Sequence, residues 1–233
     1  EFIVWDEEHD SFLERFDRYI DFLWENGISS MIVLANDCMP PKNESWKAPK
    51  LGPQNTDWGY HGGRKNSQHG VFNAIGYHVL DDEDTAKRYF EMVREIVTKY
   101  KDDERIIIWD VYNEPGNSNR RDLTPKNLEK IFEICREIDP IQPLTCATWS
   151  GDGENIPDIE KYALENSDII SYHNYYNYKT NVKIIRNLKK YDRPIINTEW
   201  LARCTHNNVE ELFPLFYLEK NGCYNWGFVA GKY

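Results

Sequence analysis

Short apolar runs alternate with amphipathic stretches along most of this chain. The runs predict strands at 30–35, 106–113, 143–149, 168–175, 194–200 and 223–229. Between them, apolar positions at helical spacing predict helices over 11–25, 82–100, 124–138, 157–165, 181–190 and 208–220. Such alternation requires a parallel sheet with right-handed crossovers, either a (β/α)8 barrel or an open doubly wound sheet. No G-x-G-x-x-G or P-loop follows a predicted strand, which argues against a nucleotide-binding open sheet.

Two segments stand outside this alternation. Residues 1–5 are a short apolar piece, and Ser11-Phe-Leu-Glu14 then has the pattern of a capping box that starts the first helix. Residues 38–81 form one long connection rich in Gly, Pro, Asn and Trp. A loop of this length in a compact domain is usually functional or disordered. Its aromatic residues favour a functional role, with Trp46, Trp58 and Tyr60 as walls of a binding site.

The strand over 106–113 ends in polar residues with a clear chemical use. Its β-branched run predicts a strand buried on both faces, and Pro115 with Gly116 stops it. Glu114 therefore lies at the C-terminal end of a buried strand, beside the amide of Asn113. In parallel α/β folds, ligands bind at that edge of the sheet.

The other predicted strands also end in polar or aromatic residues, namely Asp37, Trp149, His173 with Tyr175, Glu199 and Trp226. A barrel brings these ends together on one face. Two carboxylates on one face suit glycoside hydrolysis, in which one holds a proton for the leaving oxygen and the other stays ionised. Asn113 could then bond the sugar 2-hydroxyl, and Trp226 could stack under the sugar ring.

Structural roles compete with these functional ones. Glu199 could form an ion pair with Arg193 or Arg203, and His173 could be a core histidine whose ring nitrogens are hydrogen-bonded. Trp109 and Trp200 could pack in the core. Core packing is the favoured interpretation for the last two.

Composition narrows the class of partner. The net charge of −11 argues against nucleic acid and against an anionic membrane surface, and no apolar run approaches the ~20 residues of a membrane span. The five cysteines include no C-x-x-C pair, so neither a zinc ribbon nor a disulfide framework is indicated. An aromatic content of 14% suits stacking on flat ligand faces. We expect a carbohydrate partner and no cofactor or metal.

The segment Trp109-Asp-Val-Tyr-Asn-Glu-Pro115 resembles the Asn-Glu-Pro acid/base motif of the retaining glycoside hydrolases of clan A, and most closely that of the cellulase-like family 5. His173-x-Tyr175 is similar to the clan's motif on strand 6. Glu199, in Ile-Asn-Thr-Glu-Trp, is similar to the nucleophile on strand 7, and Trp226 to the sugar platform on strand 8. The resemblance implies that Glu114 is the acid/base, Glu199 the nucleophile, and the fold a (β/α)8 barrel.

The resemblance leaves part of the barrel unassigned. The strands of Glu114 and Glu199 are second and fifth here, whereas the clan has them fourth and seventh. The strand at 30–35 would thus be barrel strand 3. Barrel strands 1 and 2 and the final helix have no counterpart, except that residues 1–5 could be the tail of strand 2 or the loop after it. We expect residues 1–233 to be one catalytic domain, truncated at both ends.

We therefore predict a retaining β-glycosidase of the cellulase, mannanase or xylanase kind, with Glu114 and Glu199 catalytic. The predicted substrate-binding residues are Asn113, His173, Tyr175, Trp226, Trp149, Asp37 and Trp58. One alternative is a non-catalytic carbohydrate-binding barrel. Another is a metal-dependent hydrolase using Asp37, His173, Glu114 and Glu199, although no H-x-H or H-E-x-x-H spacing supports it. The compartment stays open, since a polysaccharide substrate favours export whereas unpaired cysteines favour a reducing interior.

Overall fold

The computed structural model describes residues 2–38, 79–117 and 124–227. This part of the chain contains seven α-helices, which are α1 Phe2–Glu7, α2 His9–Glu25, α3 Glu83–Tyr100, α4 Pro125–Ile138, α5 Asp158–Asn166, α6 Tyr178–Leu188 and α7 Val209–Glu219. It contains six strands, which are β1 Ser30–Val33, β2 Ile106–Asp110, β3 Leu144–Thr145, β4 Ile170–His173, β5 Ile195–Glu199 and β6 Gly222–Cys223. Each predicted strand and helix has a counterpart here, although the strands are shorter than the apolar runs that predict them.

All strand pairs in the described residues are parallel, which confirms the predicted α/β class. The strands form two ladders, β1-β2-β3 and β4-β5-β6. A bridge between Thr148 and Tyr172 links the ladders, since the Thr148 amide donates to Ser171 O at 3.2 Å and the His173 amide donates to Thr148 O at 2.7 Å. Neighbouring strands therefore follow chain order from β1 to β6. Among the residues described, no ladder joins β6 to β1.

Apolar side chains from the strands and the inner helix faces pack into two buried clusters. One lies between β1, β2 and β3 and helices α1 to α4, and Ile106, Val97 and Leu128 are among its buried side chains. The other lies between β4 and β5 and helices α6 and α7. Trp109 is fully buried, with its indole N–H donating to Gln142 Oε1 at 3.0 Å, and Trp200 is nearly so. Core packing of both tryptophans is therefore confirmed.

The N-terminal segment differs from the sequence prediction. Residues 2–5 are not a strand tail, because they belong to the helix Phe2–Glu7, whose Phe2 packs against Tyr89 of α3. Helix α2 begins at His9, so Ser11 lies inside it and no capping box forms there. Long-range packing of α1 on α3 outweighs the local capping signal. No helix of the described residues is long and apolar enough to cross a membrane.

Three other helix starts follow local sequence signals. The side chains of Asp82, Asn177 and Asn208 each accept a hydrogen bond from the backbone amide three residues on, at the first turns of α3, α6 and α7. Thr124 precedes Pro125 at the start of α4, but its hydroxyl makes no such bond. That hydroxyl donates instead to Asp37, beneath the functional site.

Candidate active site

The C-terminal ends of the strands meet at one edge of the sheet, where the predicted polar residues collect. Glu114 follows β2, while His173 and Glu199 end β4 and β5. One ligand atom from each of these three side chains lies within 4.8 Å of the other two. Residues far apart in the chain are thus brought together by the parallel sheet, as the strand-end pattern predicts.

Glu114 is held in an unusual backbone conformation. Its φ of 48° lies in the left-handed region that non-glycine residues seldom adopt, and Pro115 follows it directly. Such a conformation costs about 1–3 kcal/mol and persists only where its surroundings enforce it. Here the Glu114 amide donates to Ala147 O at 3.2 Å, and the Gly116 amide donates to Asp37 Oδ2 at 2.6 Å.

Asp37 supports this turn from below. It is fully buried, and its Oδ1 accepts a hydrogen bond from the Tyr112 hydroxyl at 2.9 Å. Its Oδ2 accepts from the Gly116 amide and from the Thr124 hydroxyl. These donors occupy both carboxylate oxygens, so in this conformation Asp37 cannot touch a substrate directly.

His173 stands between the two candidate catalytic carboxylates. Its Nδ1 lies 2.7 Å from Glu114 Oε1 and 3.5 Å from Glu199 Oε2. The Tyr175 hydroxyl donates to Glu199 Oε2 at 2.5 Å. Register shifts between Tyr172 and His173, so that His173 pairs with Glu199 rather than with Thr198. This bulge directs Glu199 toward His173.

The pKa shifts of these three groups follow from their contacts with one another. Burial lowers the pKa of His173, but the Glu114 hydrogen bond and the nearby negative charges outweigh burial and raise it. Burial raises the pKa of Glu114, yet His173, Cys38 and Asn117 together hold it below its usual value. Burial dominates for Glu199 and raises its pKa, since His173 and Tyr175 offset only part of the effect.

The second oxygen of Glu114 has partners that the sequence did not indicate. Cys38 Sγ donates to Oε2 at 3.0 Å, and the Asn117 amide donates to the same oxygen. The Asn113 amide donates to Asn36 Oδ1 at 2.9 Å and reaches Cys38 Sγ at 3.5 Å. Cys38 was assigned no role from the sequence, although its place just after β1 marks it as a strand-end residue.

The remaining predicted residues lie around this trio or outside the described chain. Trp149 donates its indole N–H to Pro115 O at 3.2 Å, which places it against the Glu114 turn. Trp226 is half-buried, and its backbone amide donates to Trp200 O at 3.0 Å. The predicted loop residues Trp46, Trp58 and Tyr60 lie outside the described residues.

Two alternatives from the sequence lose support. Arg193 donates to Leu164 O at 2.8 Å, while Glu199 accepts from Tyr175, so the Arg193–Glu199 ion pair does not form. Of the four residues predicted for a metal-dependent hydrolase, Asp37 is enclosed by its own hydrogen bonds, so only Glu114, His173 and Glu199 lie together. His173 is buried, as a core histidine would be, yet its partners are the two candidate catalytic carboxylates.

Comparison with protein families identifies the chain. Residues 4–229 match the model of the cellulase family, glycosyl hydrolase family 5. The chain belongs to this family. The resemblance predicted from the Asn-Glu-Pro motif is therefore confirmed, and the chain is a member of a glycosyl hydrolase family. No curated protein sequence matches it.

Solved structures show the same fold for this family 5 chain. Thermotoga maritima Cel5A in complex with cellobiose is 17% identical with a TM-score of 0.56, over 96% of this chain and 72% of that one. A GH10 xylanase from Thermobacillus composti is 16% identical with a TM-score of 0.54, over 91% and 68%. A β-D-glucuronidase from Dictyoglomus thermophilum is 17% identical with a TM-score of 0.55, and the chain covers 36% of its length. At these identities the comparison supports the TIM-barrel fold class alone.

Proposed function

We propose that this chain is the catalytic domain of a retaining β-glycosidase that cleaves a β-linked polysaccharide or oligosaccharide. The observation that carries the proposal is the closeness of Glu114 and Glu199, whose nearest carboxylate oxygens lie within 4.8 Å across His173. Retaining enzymes hold the two carboxyl groups about 5–5.5 Å apart, whereas inverting enzymes leave about 6.5–9.5 Å for a water molecule. The short separation favours direct attack by one carboxylate.

The roles follow from the motif and from the contacts. Glu199 attacks the anomeric carbon as nucleophile, and the Tyr175 hydroxyl orients its Oε2. Glu114 gives a proton to the leaving oxygen and later takes one from the water that releases the sugar. The leaving alcohol departs with the first proton, and the second step restores both carboxyl groups.

In this proposal His173 is the proton source beside Glu114. The raised pKa of His173 favours the protonated imidazole, whose Nδ1 lies 2.7 Å from Glu114 Oε1, while the pKa of Glu114 itself is lowered. An acid normally has a raised pKa and a nucleophile a lowered one. Here the pKa of Glu114 is lowered and that of Glu199 is raised, which is the reverse. A shift of the shared proton from His173 to Oε1 makes Glu114 the neutral acid. The positive charge that develops on the sugar then holds Glu199 in its ionised form.

The other predicted residues take supporting roles in this proposal. The reacting sugar is bound by Asn113, His173 and Tyr175, and Trp226 stacks beneath it. Trp149 flanks the Glu114 turn. Trp58, in the 38–81 connection, forms a further wall of the binding site. Asp37 is reassigned from binding substrate to holding the Glu114 turn, because it is enclosed by its donors.

We further propose that β1–β6 correspond to strands 3–8 of a (β/α)8 barrel and that 1–233 act as one domain. The parallel strands lie side by side in the order in which they occur along the chain, which supports this correspondence. The strands that carry Glu114 and Glu199 are second and fifth, the same separation as the clan's fourth and seventh.

The test is to screen the protein against soluble β-glucans, mannans and xylans, and then to follow the first product by proton NMR. We expect new reducing ends, with the β-anomer released first. Release of the α-anomer first would contradict the retaining assignment. Binding of a glycan with no new reducing ends would favour the non-catalytic carbohydrate-binding barrel.

A further inference from the structure

Cys38 contacts the carboxylate proposed as acid/base. Its Sγ lies 3.0 Å from Glu114 Oε2, on the side of the carboxylate opposite the His173 contact at Oε1. Two amide groups also point at the sulfur, Asn113 Nδ2 at 3.5 Å and Asn117 Nδ2 at 3.6 Å. Because these amides donate to the sulfur, the thiol proton is directed to Glu114.

The backbone of Cys38 is fixed as well. Its amide donates to Asn36 Oδ1 at 3.0 Å, and that oxygen also accepts from the Asn113 side chain at 2.9 Å. The segment after β1 is thereby joined to the segment after β2 at the level of the Glu114 turn. The sulfur is therefore held in place from two directions.

We propose that Cys38 is a positioning residue whose thiol donates to Glu114 Oε2, fixes the carboxylate plane, and leaves Oε1 to exchange a proton with His173. This inference rests on the acid/base role proposed for Glu114. A thiol is a weak donor. It favours the ionised carboxylate that must activate water, yet it does not prevent the protonated form that must serve the leaving group.

The surroundings keep Cys38 as a donor and not a nucleophile. Burial, followed by the charges of Glu114 and Glu199, raises the pKa of the thiol far above its usual value. Among the described residues, the charged and titratable groups around this corner include Glu114, Glu199, His173, Tyr175 and Asp110, with Asp37 beneath the Glu114 turn. The carboxylates among them disfavour a thiolate.

The first test is the pH profile of kcat/KM for Cys38→Ala and Cys38→Ser. The basic limb reports loss of the proton that His173 and Glu114 share and that Glu114 must donate. Without the thiol, ionised Glu114 loses a stabilising donor, so its pKa rises and the limb moves to higher pH by about half a unit, with a threefold to tenfold loss at the optimum. The hydroxyl of Cys38→Ser should restore both values.

Cys223→Ala is the matched control, since Cys223 is also partly buried but lies in β6 away from Glu114. It should leave the profile unchanged. A Cys38→Ala profile with lower activity but an unmoved basic limb would overturn the proposal, as would a Cys38→Ser variant that behaves like Cys38→Ala. Either result would make Cys38 a packing residue.

A second test does not depend on activity. Iodoacetamide labelling of the native protein at pH 8, read residue by residue by mass spectrometry, compares Cys38 with the exposed Cys204 as internal reference. Relative to Cys204, Cys38 in the wild-type protein should react slowly, and Glu114→Gln should speed it at least several-fold by removing the adjacent charge. Unchanged labelling would refute the Cys38–Glu114 contact. If the labelling is as expected but the protein has no glycosidase activity, the Cys38–Glu114 contact is supported and the proposed function is wrong.

Discussion

At the scale of single residues, the site combines side chains that a sequence can indicate with contacts that it cannot. Glu114, His173, Tyr175 and Glu199 were predictable because each follows an apolar run and carries a chemically useful group. The positive φ of Glu114 was not, because Pro115 locally favours an extended conformation there. The role of Asp37 was likewise hidden, since its donors come from the Glu114 turn and from α4.

Asp110 is a buried charge beneath this site. It is fully buried, and among the described residues its Oδ1 has no hydrogen-bond partner. Burial raises the pKa of Asp110 to about 7 from its ordinary 3.8, despite the favourable charge of His173. Because the folded pKa is the higher one, the stability linked to Asp110 is complete below pH 3.8 and is lost as pH rises to about 7.

Asp110→Asn should therefore raise the free energy of unfolding at pH 8 by about 1–3 kcal/mol, since a neutral amide replaces a buried carboxylate. Near pH 4 the two proteins should have similar stability. Urea unfolding at both pH values measures the difference. An equal difference at the two pH values would show that the Asp110 charge does not control stability.

At the scale of elements, apolar periodicity predicted the six strands and the helices α2 to α7 of the described chain but not α1, while tertiary contacts set their ends. Asp82, Asn177 and Asn208 cap their helices as local chemistry dictates. Thr124 has the same local pattern but bonds Asp37 instead. The bulge between Tyr172 and His173 also depends on pairing with β5, which no local pattern specifies.

Thr124 and Asn208 should consequently respond differently to substitution. Thr124→Val keeps the side-chain shape but removes the donor to Asp37, so the Glu114 turn loosens and kcat/KM should fall about tenfold. Asn208→Ala removes a cap on α7 and should cost about 0.5–2 kcal/mol of stability with unchanged kinetics. Steady-state kinetics and thermal unfolding of both variants provide the measurement. If Thr124→Val kept full activity, Asp37 would not act through this bond.

At the scale of the whole molecule, the alternation of strands and helices predicted a parallel sheet, and the structure has its strands in chain order. Which side chains of α7 are exposed was less predictable, because the helix has apolar residues on its outer face as well as on its inner face. Phe213, Tyr217 and Leu218 are 57%, 81% and 77% exposed, whereas Leu212 on the same helix is fully buried. Contiguous exposed apolar residues of this kind mark interaction surfaces or aggregation sites.

Replacing Tyr217 and Leu218 together by Lys should reduce self-association with little change in stability, within about 0.5 kcal/mol per site for surface positions. Sedimentation velocity over a range of concentrations measures the first effect, and thermal unfolding measures the second. Leu212→Ala, on the buried face of the same helix, is the control and should cost about 2–5 kcal/mol. A large loss of stability in the double Lys variant would mean that these side chains are packed.

The central claim is that Glu114 is the acid/base and Glu199 the nucleophile of a retaining enzyme. The most direct measurement is NMR of the product that each alanine variant forms with azide and a dinitrophenyl β-glycoside. Glu114→Ala keeps its nucleophile, and azide needs no base, so azide should speed turnover and give the β-glycosyl azide. In Glu199→Ala azide can only replace the missing nucleophile, so it should give the α-glycosyl azide. Exchanged anomers would reverse the two roles, and full activity in both variants would contradict the assignment of this pair.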